Sequence, residues 1–141
     1  ALDVACRLAD GFMPTRPDAA RASRWQQLAP GRPTQAGLKV CVAPTVDEAA
    51  RHAHRLWANN SLPGELSQVL PSPKHFEQAA TLVTEQMTRE SVPLGPDPQV
   101  HLDAVRQYQQ AGFDEIYVAP MGPTWRDMID LYGEQVLPAL R

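Results

Sequence analysis

The chain has little that would narrow its chemistry by composition alone. It has two cysteines in 141 residues, Cys6 and Cys41, far apart and without a C-x-x-C pair, so neither a disulfide scaffold nor a thiolate metal site is implied. Each cysteine falls in an apolar segment, which reads as a free thiol in a reducing cytoplasm. No basic run occurs, and the net charge of -3 gives no case for nucleic acid. No apolar stretch approaches the roughly 18 residues that a membrane-spanning helix needs. The N-terminal Ala-Leu-Asp-Val-Ala-Cys-Arg has no signal-peptide pattern, and it lacks a starting methionine, so the natural start is expected elsewhere. Proline and alanine are plentiful and arginine greatly outnumbers lysine, which says little about activity.

What is present is an alternation of helix and strand signals. The clearest runs from Gly95 to Ala119. Asp97 is placed to cap a helix whose first position suits Pro98. Leu102, Val105 and Tyr108, with Ala104 and Ala111, give that helix an apolar face, and Gly112 stands where a left-handed C-cap favours glycine. The run Ile116 to Ala119 then reads as a strand buried on both faces, as parallel strands flanked by helices are. Earlier, Leu2 to Ala9 reads as a helix, Gly11 to Thr15 as a short strand, and Asp18 as the cap of a helix through Leu28. Pro30 to Gly37 reads as a turn-rich linker and Leu38 to Ala43 as a strand. Thr45-Val46-Asp47-Glu48 has the form of a capping box, opening a helix with Ala49, Ala50, Ala53, Leu56 and Trp57 inward.

After Trp57 the rhythm breaks. Asn59 to Pro73 is rich in Asn, Pro, Gly and Ser, with a short helix expected near Glu65 to Val69. Ser72-Pro73 then opens one further helix with Phe76, Ala79, Ala80, Val83 and Met87 on one face. A last helix begins near Thr124, lined by Trp125, Met128, Ile129, Tyr132 and Val136. This order predicts an α/β fold with about three parallel strands, flanking helices and one insertion at about 59–94. Three parallel strands leave two open edges, so they are expected to complete a larger sheet as the C-terminal part of a (β/α)8 TIM barrel spanning residues 1–141.

Asp10 to Thr15, Leu38 to Pro44, Ala-His-Arg-Leu-Trp (53–57), Leu-Pro-Gly-Glu-Leu (62–66), Gly-Pro-Asp-Pro (95–98) and Ala-Gly-Phe-Asp-Glu-Ile-Tyr-Val (111–118) resemble the bacterial-luciferase-like superfamily. The closest resemblance is to a branch related to glucose-6-phosphate dehydrogenases that use the deazaflavin coenzyme F420. It covers essentially the whole chain, matched to the C-terminal portion of such a protein. It implies a cytoplasmic barrel oxidoreductase that moves a hydride between the deazaflavin and a small organic substrate. An FMN-dependent monooxygenase is the neighbouring alternative, because the superfamily uses both cofactors, and homodimers are common in it. The family's proton-transferring histidine and phosphate-approaching turn lie in the other portion, so no catalytic residue is expected here and the fragment alone is expected to be inactive, and aggregated or partly molten. A non-catalytic α/β module pairing with another half-barrel is the reading from a different class.

Within the resemblance, Thr15 matches a threonine that helps hold the substrate phosphate, Arg16 stands beside it, and Arg89-Glu90 falls near an arginine that precedes the Gly-x-x-Pro turn. Thr15, Arg16 and Arg89 are therefore the candidate substrate-binding residues. Each has a plainer reading: Thr15 closes a strand, Arg16 is a solvated loop cation, and Arg89 pairs with Glu85 one helical turn away. The two lysines of the sugar-phosphate enzymes are not matched; Asp18 and Ser67 stand near their places, which makes glucose 6-phosphate an unpromising substrate. His52-Ala-His54 has the wrong spacing for a metal pair on a helix, and His75 and His101 have no ligand cluster around them, so no metal is expected. Trp57 and Trp125 read as core anchors, and Asn59, Asn60 and Glu65 either face the substrate or turn the insertion.

Overall fold

A computed structural model of the chain describes residues 2–14 and 17–141. The architecture is α/β, with one two-stranded parallel sheet, β1 (Gln35–Val40) beside β2 (Glu115–Pro120). The chain forms two compact units, Ala1–Leu38 with Leu102–Ala119, and Lys39–His101 with Pro120–Arg141.

In the first unit, α1 (Leu2–Leu8) is followed by α2 (Ala19–Leu28), whose N-cap Asp18 accepts from the Arg21 amide at 3.0 Å. The segment between them makes a single parallel bridge, Phe12 with Thr34, where a short strand through Thr15 is expected from the sequence; Thr15 itself lies outside the described residues. Trp25 on α2 is fully buried, stacks on Phe12 with ring centroids 5.4 Å apart, and donates its indole N–H to the Arg32 carbonyl. Arg32 in turn donates to the Cys6 and Ala9 carbonyls, tying down the end of α1.

β1 begins three residues earlier than the apolar run at Leu38 indicates, inside the segment read as a linker. The reason lies in Thr34 and Asp114. The Asp114 carboxylate accepts from the Thr34 amide and hydroxyl, both at 2.7 Å, while the Thr34 carbonyl accepts from the amides of Asp114 and Glu115. This clip fixes the register of the two strands at their start. α7 (Pro98–Gln110) precedes β2; within this unit it buries Leu102, Val105 and Tyr108, and Tyr108 meets Phe113 edge to face. Gly112 takes the left-handed conformation expected of it, at φ +87°. β2 departs from the expectation of burial on both faces: Tyr117 is 55% exposed and Ile116 and Val118 are half-buried, because β1 is its one strand neighbour among the described residues.

The clip makes Asp114 pH-sensitive in a defined sense. Hydrogen bonds from Thr34, first the amide and then the hydroxyl, hold its carboxyl below the usual range. Its contribution to stability is therefore complete above the ordinary carboxylate pKa and is lost as pH falls through the lowered one. Asp114→Asn is expected to be less stable than the parent at neutral pH, with the gap closing on acidification. Urea midpoints measured from about pH 7 down to about pH 3 check this; a gap that stays constant with pH contradicts it.

The second unit packs α3 (Val46–Trp57) on the continuation of the strand segments. Thr45 caps α3, accepting from the Glu48 amide at 3.2 Å, and Ala49, Ala50 and Ala53 meet Cys41, Ala43, Val92, Leu94 and Met121 in one apolar cluster. Alanines on the inner face allow close approach, and this is where the inward reading of α3 stops. Leu56 and Trp57, expected inside, are 50% and 40% exposed, and Lys39 sits over the Trp57 ring. Trp125 is likewise 46% exposed rather than a core anchor, and Ile129 is exposed. Both tryptophans keep cation–π contacts at the surface, Trp125 with Arg126.

The insertion holds a 3-10 turn (Ala58–Ser61), α4 (Leu66–Val69), α5 (Pro73–Ala80) and α6 (Glu85–Ser91). The sequence expectation of one helix from Ser72 through Met87 is corrected to two. Thr84 ends the continuity by turning its hydroxyl onto the Met87 amide as an N-cap, and Val83 gives its carbonyl to His54. α8 (Trp125–Leu131) then passes into a π-helical turn, Tyr132–Val136, and a 3-10 turn, Pro138–Leu140, where one continuous helix is expected.

Candidate functional site

The C-terminal ends of the strands come together in the second unit through backbone pairing. The Met121 amide donates to the Val40 carbonyl at 2.7 Å. Cys41 leaves β1 to bridge Leu94: its amide donates to Pro93 O, and the Gly95 amide donates to Cys41 O at 2.9 Å. The Thr124 hydroxyl donates to Val42 O in a short hydrogen bond, fastening the turn after β2 to the segment after β1. Gly95 is at φ +94°, and a Cβ there would lie 2.8 Å from Val46 Cγ2, so the turn into Pro96 is tightly packed.

These contacts frame a cleft of about 390 Å³. Val42, Ala43 and Pro44 from the end of the first strand segment and Pro96 form its apolar side; Asp127, Asp130, Leu131, Glu134 and Gln135 from α8 and the π turn form the other. Asp127, Asp130 and Glu134 form none of the ion pairs found among the described residues, so the cleft presents three uncompensated carboxylates. Among the described residues no group of three or more His, Cys, Asp or Glu is arranged to hold a metal ion.

Of the three sequence-derived candidates, Thr15 and Arg16 lie outside the described residues. Arg89 is on α6, away from the cleft lining. Its Nη2 is 2.5 Å from Glu85 Oε1 and 2.9 Å from Asp47 Oδ1, and its Nε donates to Glu85 as well. The hydrogen bond from Glu85, with Asp47 adding to it, raises the guanidinium pKa further. Its charge is thus matched by two carboxylates that join the insertion to the start of α3. In the insertion, Asn60 accepts from Lys39 Nζ at 2.7 Å, and Ser67 is exposed.

One buried constellation has no counterpart in the sequence reading. His101 is completely buried, with Nε2 3.0 Å from the Gly95 carbonyl and Nδ1 3.2 Å from the Tyr132 hydroxyl. Burial lowers its pKa, against a smaller opposing effect of the Gly95 hydrogen bond and Asp97. Burial likewise holds the Tyr132 phenol well above its usual range. A histidine in the first turn of a helix signals nothing by itself; its partners are 6 and 31 residues away, beyond any local pattern.

No protein-family model matches the chain. It is 29% identical over 93 residues to an F420-dependent glucose-6-phosphate dehydrogenase of Intrasporangium calvum, a match covering 66% of this chain and 28% of that protein. Enzymes of the same name from Nakamurella multipartita and Microbacterium testaceum are 28% and 25% identical over 67% and 74% of the chain. The matched regions span 28% to 31% of the length of these curated relatives. In fold, 99% of the chain superposes on 46% of an F420-dependent secondary alcohol dehydrogenase solved with an F420-acetone adduct, at TM-score 0.77 and 19% identity. The F420-dependent tetrahydromethanopterin reductase of Methanopyrus kandleri gives a TM-score of 0.64 over 48% of its length, also at 19% identity. The resemblance to F420-dependent luciferase-like enzymes is thus shared by sequence relatives and fold neighbours, and the chain has the fold of about half of their TIM barrel.

Proposed function

We propose that residues 1–141 are the C-terminal part of an F420-dependent, luciferase-like oxidoreductase that moves a hydride between the deazaflavin and a small, uncharged organic substrate. The observation that carries this reading is the agreement of two independent likenesses: the sequence relatives and the fold neighbours are all named for F420. Barrel chemistry takes place at the C-terminal ends of strands, and that is where the cleft lies.

The residues of the cleft do not fit the phosphate of the cofactor. Three carboxylates without cations repel a dianion, and the cleft offers no Lys or Arg to offset them. The role supported for this part of the chain is structural closure of the barrel beside the substrate, with Val42, Ala43, Pro44 and Pro96 supplying apolar contact and excluding water.

The same charges bear on the substrate. Arg89 is engaged by Glu85 and Asp47, so freeing it for a sugar phosphate would first break two ion pairs. Phosphate recognition without cations forfeits charge-assisted hydrogen bonds of about 1.5–3 kcal/mol each. Thr15 and Arg16 remain candidates for substrate contact on the resemblance alone. The test is to titrate the natural-length protein with F420 and then follow F420 reduction by absorbance, with isopropanol and with glucose 6-phosphate. Saturable F420 binding, reduction by the alcohol and none by the sugar phosphate are expected. Failure to bind F420 overturns the cofactor; saturable turnover of glucose 6-phosphate overturns the uncharged substrate.

A further inference from the structure

We infer that His101 is a positioning residue, a neutral two-way latch that holds the Gly95–Pro96 side of the cleft to its π-helical side. A backbone carbonyl only accepts, so the nitrogen facing Gly95 O, Nε2, carries the ring proton. Nδ1 is then a lone pair, and the Tyr132 hydroxyl donates to it. Both ring nitrogens are satisfied in one neutral tautomer, and the ring meets Tyr132 edge to face at 5.4 Å and 73°.

The two partners are placed where such a link matters. Gly95 leads directly into Pro96 on one side of the cleft. Its amide is held by Cys41 O, so its carbonyl direction is fixed from both ends. Tyr132 follows Leu131 and opens the π turn that carries Glu134 and Gln135 on the other side. The Leu137 amide donates to Tyr132 O at 2.8 Å and closes that turn. The imidazole therefore bridges the two sides of the cleft through one rigid ring, and its two hydrogen bonds act on different sides. Space-filling alone would not give it that directionality. The latch is independent of what the cleft binds.

The separable halves give the test. Hydrogen exchange followed by mass spectrometry on the natural-length protein reads peptides covering 92–97, 132–141 and, as an internal reference, 46–57. His101→Gln keeps a donor for Gly95 O and removes the acceptor for Tyr132; Tyr132→Phe removes the same bond from the other end and preserves shape. Both are expected to speed exchange in 132–141 about tenfold, with 92–97 and 46–57 unchanged. His101→Asn restores an acceptor toward Tyr132 and is expected to speed 92–97 instead. His101→Phe is expected to speed both. Equal effects of all variants on both peptides, spread of the effect into 46–57, or no change with Tyr132→Phe and His101→Gln would overturn the latch. The two milder variants keep the test intact should His101→Phe fail to fold.

Discussion

Trp25→Ala is expected to cost about 3–5 kcal/mol of stability, read as a lowered urea midpoint by circular dichroism. Trp25 is fully buried, and its loss leaves a cavity against Phe12, which stacks on it at an interplanar angle of 21°. The Arg32 carbonyl also loses the indole donor at 3.1 Å. Because Arg32 is the residue that holds the Cys6 and Ala9 carbonyls, the disturbance extends to the end of α1. Trp25→Phe keeps an aromatic face and removes the donor, so it is expected to cost only about 1–3 kcal/mol. A Trp25→Ala protein within about 1 kcal/mol of the parent would show that this core is not where the first unit is held.

Gly95→Ala is the second large effect, about 2–4 kcal/mol, from two sources that are separable. One is conformational: at φ +94° an alanine is strained in any surroundings. The other is steric: the added Cβ meets Val46 Cγ2 at 2.8 Å and the Val46 Cα at 3.4 Å. Gly112→Ala is the control for the first source alone, since it shares the left-handed backbone, φ +87°, and its Cβ would make one ordinary contact at 3.5 Å. It is expected to cost about 1–2 kcal/mol. Adding Val46→Ala to Gly95→Ala is expected to recover part of the difference. Equal costs at the two glycines in chemical denaturation would remove the steric component.

The elements that were legible in the sequence are those governed by local rules. Asp18, Thr45 and Gly112 sit at helix ends and behave there as their side chains or lack of one dictate. The alanine face of α3 and the α7 positions Leu102, Val105 and Tyr108 follow the helical period into the core. The departures have non-local causes. β1 starts at Gln35 because Thr34 is clipped to Asp114, 80 residues later, and nothing near Thr34 in the chain announces that partner. Trp57 and Trp125 obey the helical period yet end at the surface, since period assigns a face and not a depth. Of the candidate site, the strand-end segments near Val42 to Thr45 and Pro120 to Met121 were readable from strand polarity. The carboxylate side of the cleft was not, because Asp127, Asp130 and Glu134 look like an ordinary solvated helix face until Pro44 and Pro96 are brought opposite them. The Arg89–Glu85 pair was readable from spacing; the contribution of Asp47 came only with the fold.

The π turn at Tyr132–Val136 sets how this end of the chain tolerates changes in length. A π turn holds one residue more than the α turn it replaces, so loss of a single residue there, at Gly133 for example, would let ordinary winding resume and rotate everything downstream by about 100°. Gain of a residue would do the reverse. With Tyr132 fixed from outside the helix, the rotation falls on Glu134, Gln135 and Leu137, whose facing depends on the count of residues rather than on their identity. Substitutions at these positions change the surface of the cleft; single-residue insertions and deletions change which residues form it.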